Sequence, residues 1–374
     1  MSTLLRTLAA ATILTASHAS AATGDWTQYG FTADGRRNNT QETILSTKTV
    51  AQLTPKWSSN IPVGTSSAAV ANGIVYVGST DNHLYAFDAK TGTPVWQAAT
   101  GARIMSSPAV ADGVVYVGSN DGQVYAFDAE TGAVRWSMHT GYNNYGIVES
   151  PVTVVGGLVY AGTNNGNMFA LSARTGIVKW TKTPVFSGEV LAPTVAHGIV
   201  YFANDFGGEL DAFDARTGAS LWMQRLGGGF GGALAVGDGM VYGISGGDLC
   251  AFDATTGVNR WWVPGGAVTG SIAVGARHLY ATSESALLTD VSTANGAVKY
   301  NTYTQQPVRA APAIANGVLY AGSERAGTAL SAYNTANGKL LWQAATDSIG
   351  AAPTVSNGML YVGSASKFTA YGLP

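Results

Sequence analysis

Cysteine is almost missing: Cys250 is alone in 374 residues. No intramolecular disulfide can form, so stability must come from packing. Its setting, Leu249-Cys250-Ala251-Phe252, reads as a strand interior, where a thiol behaves as a small buried hydrophobe. Charge is sparse and balanced, with 20 Lys and Arg against 22 Asp and Glu and a formal net charge of −2. The pair Arg36-Arg37 is isolated, and without a basic cluster nucleic acid is not an expected partner. The five histidines (His18, His83, His139, His197 and His278) stand singly, without metal-ligand spacing. They are expected at turns or in solvent. No nucleophile-elbow sequence accompanies the serines. No apolar stretch is long enough to span a bilayer. The longest candidate, Leu8 to Ala16, follows a lone Arg6 and precedes Ala19-Ser20-Ala21, so residues 1–21 read as a secretory signal with a small-residue cleavage site. No cysteine near that junction offers a lipid anchor.

What the chain has in quantity is glycine, 48 residues, and apolar side chains, 46%. They are organised by a repeat. An aromatic residue returns every 39 to 44 positions at Trp57, Trp96, Trp136, Trp180, Trp222, Trp261, Tyr300 and Trp342. The unit before Trp136 shows the plan: Ser107-Pro108-Ala109-Val110, a turn, Val114 to Gly118, the hairpin Ser119-Asn120-Asp121-Gly122, Gln123 to Phe127, a second turn, and a final strand ending on the indole. Asp-Gly supports the positive φ of tight hairpins. Four residues before the aromatic beat there is always glycine, from Gly92 to Gly338. Eight before it stands Asp, Ser or Asn, a side chain that folds back on its own turn. These acids are turn formers. Four short strands per forty residues predict an all-β propeller.

The segment Ala86-Phe87-Asp88-Ala89-Lys90-Thr91-Gly92-Thr93-Pro94-Val95-Trp96 resembles the tryptophan-docking motif of the pyrroloquinoline quinone (PQQ) repeat. That family holds quinoprotein dehydrogenases and also non-catalytic propellers, including an outer-membrane assembly lipoprotein. The resemblance implies that each indole docks between neighbouring blades. Residues 22–52 form a lead-in without the repeat, and its Asp25-Trp26, Tyr29-Gly30 and Arg37-Asn38-Asn39 resemble the mature start of quinoprotein dehydrogenases. Trp57 lacks three preceding strands, while Pro353-Thr354-Val355, Met359 to Gly363 and Lys367 to Tyr371 lack a closing indole. The two ends complete one another. Residues 53–374 are therefore expected to form one eight-bladed propeller whose last blade is closed by an N-terminal strand.

In such a ring, the links between blades and the hairpins between second and third strands gather at one end of the channel. The longest link, 137–148, carries Asn143 and Asn144 and leads into Glu149. Glu189, Arg103 and Arg309 occupy comparable approaches. These six residues are the candidate ligand-binding set at the channel mouth. Arginine forks carboxylates and phosphates, so a polar or anionic ligand is one reading; mutual pairing in a solvated channel is the other. Asp205, Glu209 and Asp211 read as a solvated hairpin, lacking calcium-loop spacing. Gly227 to Gly232 lie between strands, which excludes a phosphate cradle, and Phe230 is placed to intrude on the channel.

The family resemblance implies two functions. A quinoprotein dehydrogenase would use PQQ stacked on a tryptophan with calcium held by a glutamate and an asparagine, for which Glu149 and Asn143 or Asn144 are conceivable ligands. Yet no adjacent cysteine pair is present, and only Trp26 and Trp262 are spare. The favoured expectation is an exported, non-catalytic binding or scaffold module, periplasmic or secreted, with no cofactor and with a protein or polymer partner on one face.

Overall fold

The computed structural model describes residues 24–141, 146–183, 188–264 and 270–374, apart from the side chains of residues 328 and 329. The described residues form eight sheets around a central axis, each with four blade strands, in chain order from the inside out except in the last; in blade 7 the short strand Asn38–Asn39 adds in parallel to the inner edge. Blade 1 is Ala69–Ala71, Ile74–Gly78, His83–Asp88 and Pro94–Ala99, and the plan repeats to blade 7, ending at Thr346. Blade 8 joins Thr354–Ser356, Met359–Gly363 and Phe368–Gly372 to the N-terminal strand Thr54–Ser59, with Trp57 opposite Ala370. The propeller and its N-terminal closure stand as expected. Closing the ring this way leaves no blade short of a strand.

Each aromatic of the beat crosses to the next blade. Indole Nε1 donates to a turn carbonyl of the neighbour at 2.9–3.1 Å: Trp57 to Ala89, Trp96 to Ala129, Trp136 to Ala173, Trp180 to Ala215, Trp222 to Ala254 and Trp261 to Thr293. Tyr300 Oη reaches Thr335 in the same way, and Trp342 closes the circle on Leu53. In all eight blades the register slips by one residue just before the aromatic, as between Val134 and Trp136. A bulge of this kind turns the strand and re-aims the side chain that follows. The turn glycine completes the dock. Gly132 has a φ of 73°, and a Cβ on it would stand 2.7 Å from the Trp96 ring.

The turn acids behave as their position requires. Asp128 Oδ1 accepts from the backbone N–H groups of Glu130 and Thr131. Arg135, the bulged residue, returns to Asp128 Oδ2 at 2.6 Å and holds this carboxyl down at about 2. Cys250 is buried, with a thiol pushed up to about 12 by that burial.

The lead-in is part of the ring. Eight inner strands converge on the axis, each presenting an unpaired backbone edge in a place poor in water, where such groups need partners. Residues 24–39 supply them by a full circuit of the channel. One N–H of each successive inner strand is taken by Trp26 O (from Val70), Thr27 O (Val110), Gln28 Oε1 (Val154), Ala33 O (Val195), Asp34 O (Val236), Arg36 O (Val274) and Arg37 O (Ile314). Asn39 Nδ2 then donates to Val355 O in blade 8. Arg37 pins the circuit. Fully buried, it donates to Tyr29 O, Pro312 O and Pro353 O and lies over the rings of Trp26 and Tyr29.

Two outcomes follow for stability. Trp180, only 8% exposed, replaced by Ala should lose about 3–5 kcal/mol in denaturant unfolding; a shift below about 1 kcal/mol would mean the indole is not a blade-to-blade tie. Arg37→Met removes three charge-assisted donors and leaves buried carbonyls bare, so a loss on the order of 3 kcal/mol or more is expected, against no loss if the circuit frays in solution.

Candidate functional site

At the link end, an apolar residue of five of the links hooks over a glycine near the end of the preceding blade's second strand. Val63, Ile104, Val148, Val190 and Ile349 cover Gly363, Gly78, Gly118, Gly162 and Gly322, where a Cβ would meet them at 2.2–2.5 Å. These hooks set the direction of the charged residues beside them. A cavity of about 330 Å³ opens at the mouth, and Glu149, Glu189 and Arg309 line it together with Met105, Leu191 and Tyr29 of the lead-in. Arg103 stands behind Glu149, with Nη2 3.5 Å from its Oε1. Asn143 and Asn144 lie outside the described residues.

The charges are not evenly answered. Arg309 is turned to the hairpins of its own and the next blade, 2.6 Å from Glu284 and 3.7 Å from Glu324. Arg103 serves Glu149, which also accepts from Asn120 Nδ2. Glu189 accepts from Ser150 Oγ at 3.0 Å. Burial pushes the Glu189 carboxyl above its ordinary value; the Ser150 bond opposes this, and Glu149 and Asp205 reinforce it. An anionic ligand would therefore meet two carboxylates with both arginines already engaged. The mouth suits a cationic or hydrogen-bond-donating group better. Asn120 and Ser150 were not singled out by sequence, because a hairpin asparagine and a link serine carry no mark of their own. Tyr29 was hidden in a segment without periodicity.

Blade 4 departs from the sequence reading. Asp205 and Phe206 are exposed at the hairpin tip, but Glu209 and Asp211 are 2% and 7% exposed. They line a small void of about 10 Å³ with Asn204 and Phe202. Glu209 Oε2 and Asn204 Nδ2 have no hydrogen-bond partner there, and the void is close to the size of one water. The reason is register: Glu209 opens the third strand, and Asp211 sits in it opposite Phe202 and Met223, inside the sheet and not in the loop. Burial, then the charge of Glu209, push the Asp211 carboxyl up to about 7, against the pull of Arg225. Phe230 also differs from expectation. It is 2% exposed and covers Gly243, a neighbour from the next blade, so it does not enter the channel.

A family model described as outer membrane protein assembly factor BamB matches residues 38–189, 181–269 and 246–372. The chain belongs to this family. Among solved structures, BamB from Moraxella catarrhalis matches with a TM-score of 0.73 at 21% identity, over 86% of this chain and all of that one. The quinohemoprotein alcohol dehydrogenase ADHIIG from Pseudomonas putida HK5 matches with a TM-score of 0.78 at 16% identity, over 94% of this chain and 80% of that one. A europium-containing methanol dehydrogenase gives 0.79 at 15%, over 94% and 98%. A search of curated proteins found no significant match. At these identities the structures share the BamB-family propeller fold.

The dehydrogenase relatives raise the question of a quinone seat in this BamB-family chain. PQQ is a flat tricarboxylic acid, and its described mouth offers it two carboxylates and an arginine already paired. No tryptophan lines the described mouth. Trp26 is fully buried against Phe31 and Arg37, and Trp262 lies in an outer strand bonded to Asp248. The described residues do not fit the cofactor. Among them no group of three or more His, Cys, Asp and Glu is arranged for a metal.

The raised Asp211 sets a pH window. A carboxyl whose folded value exceeds its unfolded value stabilises fully below the unfolded value, near 4, and loses that contribution as pH rises toward 7. Asp211→Asn is expected to raise stability at pH 8 by about 2–4 kcal/mol and to match the parent at pH 4. Equal unfolding midpoints for both proteins at pH 8 would show that Asp211 is solvated.

Proposed function

We propose that the chain is an exported, non-catalytic propeller that binds a protein or polymer partner at its link end. The observation that carries the reading is the mouth itself: a cavity backed by the lead-in, whose described lining holds two carboxylates, a single aromatic ring, Tyr29, and no tryptophan on which a flat cofactor would stack. A partner would meet it with a basic or hydrogen-bond-donating segment. Export rests on residues 1–21 as a cleaved signal and on a periplasmic or secreted setting. Among the described residues no helix is long and apolar enough to cross a membrane. The family description, an assembly factor, supports a binding role. The alternative is a PQQ-dependent dehydrogenase acting on alcohols, sugars or polyvinyl alcohol, supported by the fold neighbours alone.

Reconstitution separates the two. Purified protein mixed with PQQ and calcium is expected to show no saturable absorbance change and no dye reduction with those substrates. Partners recovered from the exported fraction should be lost with Glu149→Gln/Glu189→Gln. Saturable quinone binding with turnover would replace the scaffold reading by the dehydrogenase one.

A further inference from the structure

A repeat protein carries its own internal comparison, and blade 6 breaks it. At the start of the second strand the other seven blades place an apolar residue: Ile74, Val114, Leu158, Ile199, Met240, Val318 and Met359. Blade 6 has His278. Opposite the buried tyrosine of that strand the others place alanine (Ala86, Ala126, Ala170, Ala212, Ala251, Ala332 and Ala370), while Tyr280 faces Asp290. Asp290 in turn faces Tyr300, where the other blades have tryptophan. The three departures touch. His278 Nδ1 lies 2.9 and 3.0 Å from the two Asp290 oxygens, and its ring stacks on Tyr280 at 5.9 Å.

The geometry is that of an oriented imidazole. Asp290 is 1% exposed and His278 40%, so the carboxylate anchors Nδ1 from inside and Nε2 is left to the outside. Burial raises the Asp290 carboxyl, and the bond to His278 and the charges of His278 and Lys299 pull it back. This corrects the expectation that every histidine merely caps a turn or faces solvent. His278 stands where two open grooves meet at the turn end of the ring, of about 1170 and about 460 Å³. The larger one gathers Arg36, Arg277 and Lys299 against Asp238 and Asp290. Arg36 is shared with Asp34, and Glu42, on the side of the smaller groove, is spent on backbone N–H groups. The phenols of Tyr280 and Tyr300 are both spent on Thr335 O.

We propose that this groove is a binding site for an anionic oxyacid group, received by the Nε2–H of protonated His278 with Arg277 and Lys299 beside it. It is separate from the link-end mouth and from the partner reading given for that end. The protonated ring is the competent form, so binding weakens as rising pH removes that proton. A free oxyanion and an anionic lipid headgroup share this chemistry.

Sulfate tests it, since its charge does not change between pH 5.5 and 8.5. Titrated into purified protein at pH 5.5, it should shift the His278 imidazole resonances saturably, with affinity at least tenfold lower at pH 8.5. Lys299→Gln should weaken binding severalfold. The triple variant His278→Val/Asp290→Ala/Tyr300→Trp rebuilds the blade on the plan of the others, and should keep the fold while losing the site. His278→Gln serves the same purpose if the triple variant does not fold. Vesicles containing phosphatidylglycerol, against phosphatidylcholine alone, separate the two sources: retention dependent on His278 assigns a lipid headgroup, and a sulfate response without retention assigns a free anion. If neither probe binds at pH 5.5, or if binding survives loss of His278, the proposal is wrong.

Discussion

The hydrogen bond from an aromatic side chain to a turn carbonyl one blade ahead is the interaction on which the ring depends. Three features support it. A bulge aims the ring in all eight blades, and an alanine lies beneath it in every blade but the sixth. A glycine in the receiving turn offers neither Cβ nor strain, everywhere but at Leu53, where Trp342 closes the circle. The same carbonyl often accepts a second bond, as Ala129 does from Tyr76 and Trp96. Six of the eight joints are thus fixed at two points, by a tyrosine and the docking aromatic on one carbonyl.

A closed ring creates its own difficulty at the centre. Eight inner strands bring their backbone edges together, only that of blade 7 meeting a short further strand, Asn38–Asn39, and leaving those N–H groups buried and bare costs about 1–3 kcal/mol each. The circuit of residues 24–39 answers this with one acceptor in each of seven blades and a donor, Asn39 Nδ2, in the eighth. Arg37 then joins the start of the circuit to its end through the carbonyls of Tyr29, Pro312 and Pro353. Burial lowers its affinity for the proton, against the opposing influence of Tyr29, to about 10, which still leaves it charged at neutral pH. With the lead-in inside, the channel is a cavity with a mouth and not a pore, and Tyr29 becomes part of that mouth.

What repeats was legible in the sequence, and what happens once was not. The blade count, the turn acids and the shared eighth blade all follow from spacings that recur. The approach of Glu149, Glu189 and Arg309 to one end followed from their places in the links, though which neighbour each would choose did not. The lead-in has no period to read, since its contacts are main-chain acceptors that almost any side chain allows. The burial of Glu209 and Asp211 was missed because the hairpin after Asn204 is enlarged, which shifts the strand start in a stretch rich in turn residues.

Two buried aspartates, Asp211 and Asp290, show how internal repetition separates drift from specialisation. Asp211 occupies a column that holds Tyr85, Tyr125, Phe169, Cys250, Thr289, Ser331 and Thr369 in the other blades. Size and polarity vary there freely, so an acid with an unanswered neighbour is one more variant of a tolerant position. Asp290 occupies a column that is otherwise alanine, because tyrosine on one side and tryptophan on the other leave no space. An acid enters only if the indole is reduced to a phenol and a cation is brought within reach, and Tyr300 and His278 do both. Three changes that are each unfavourable alone, and that fit only in combination, mark a place where packing has been given up for chemistry.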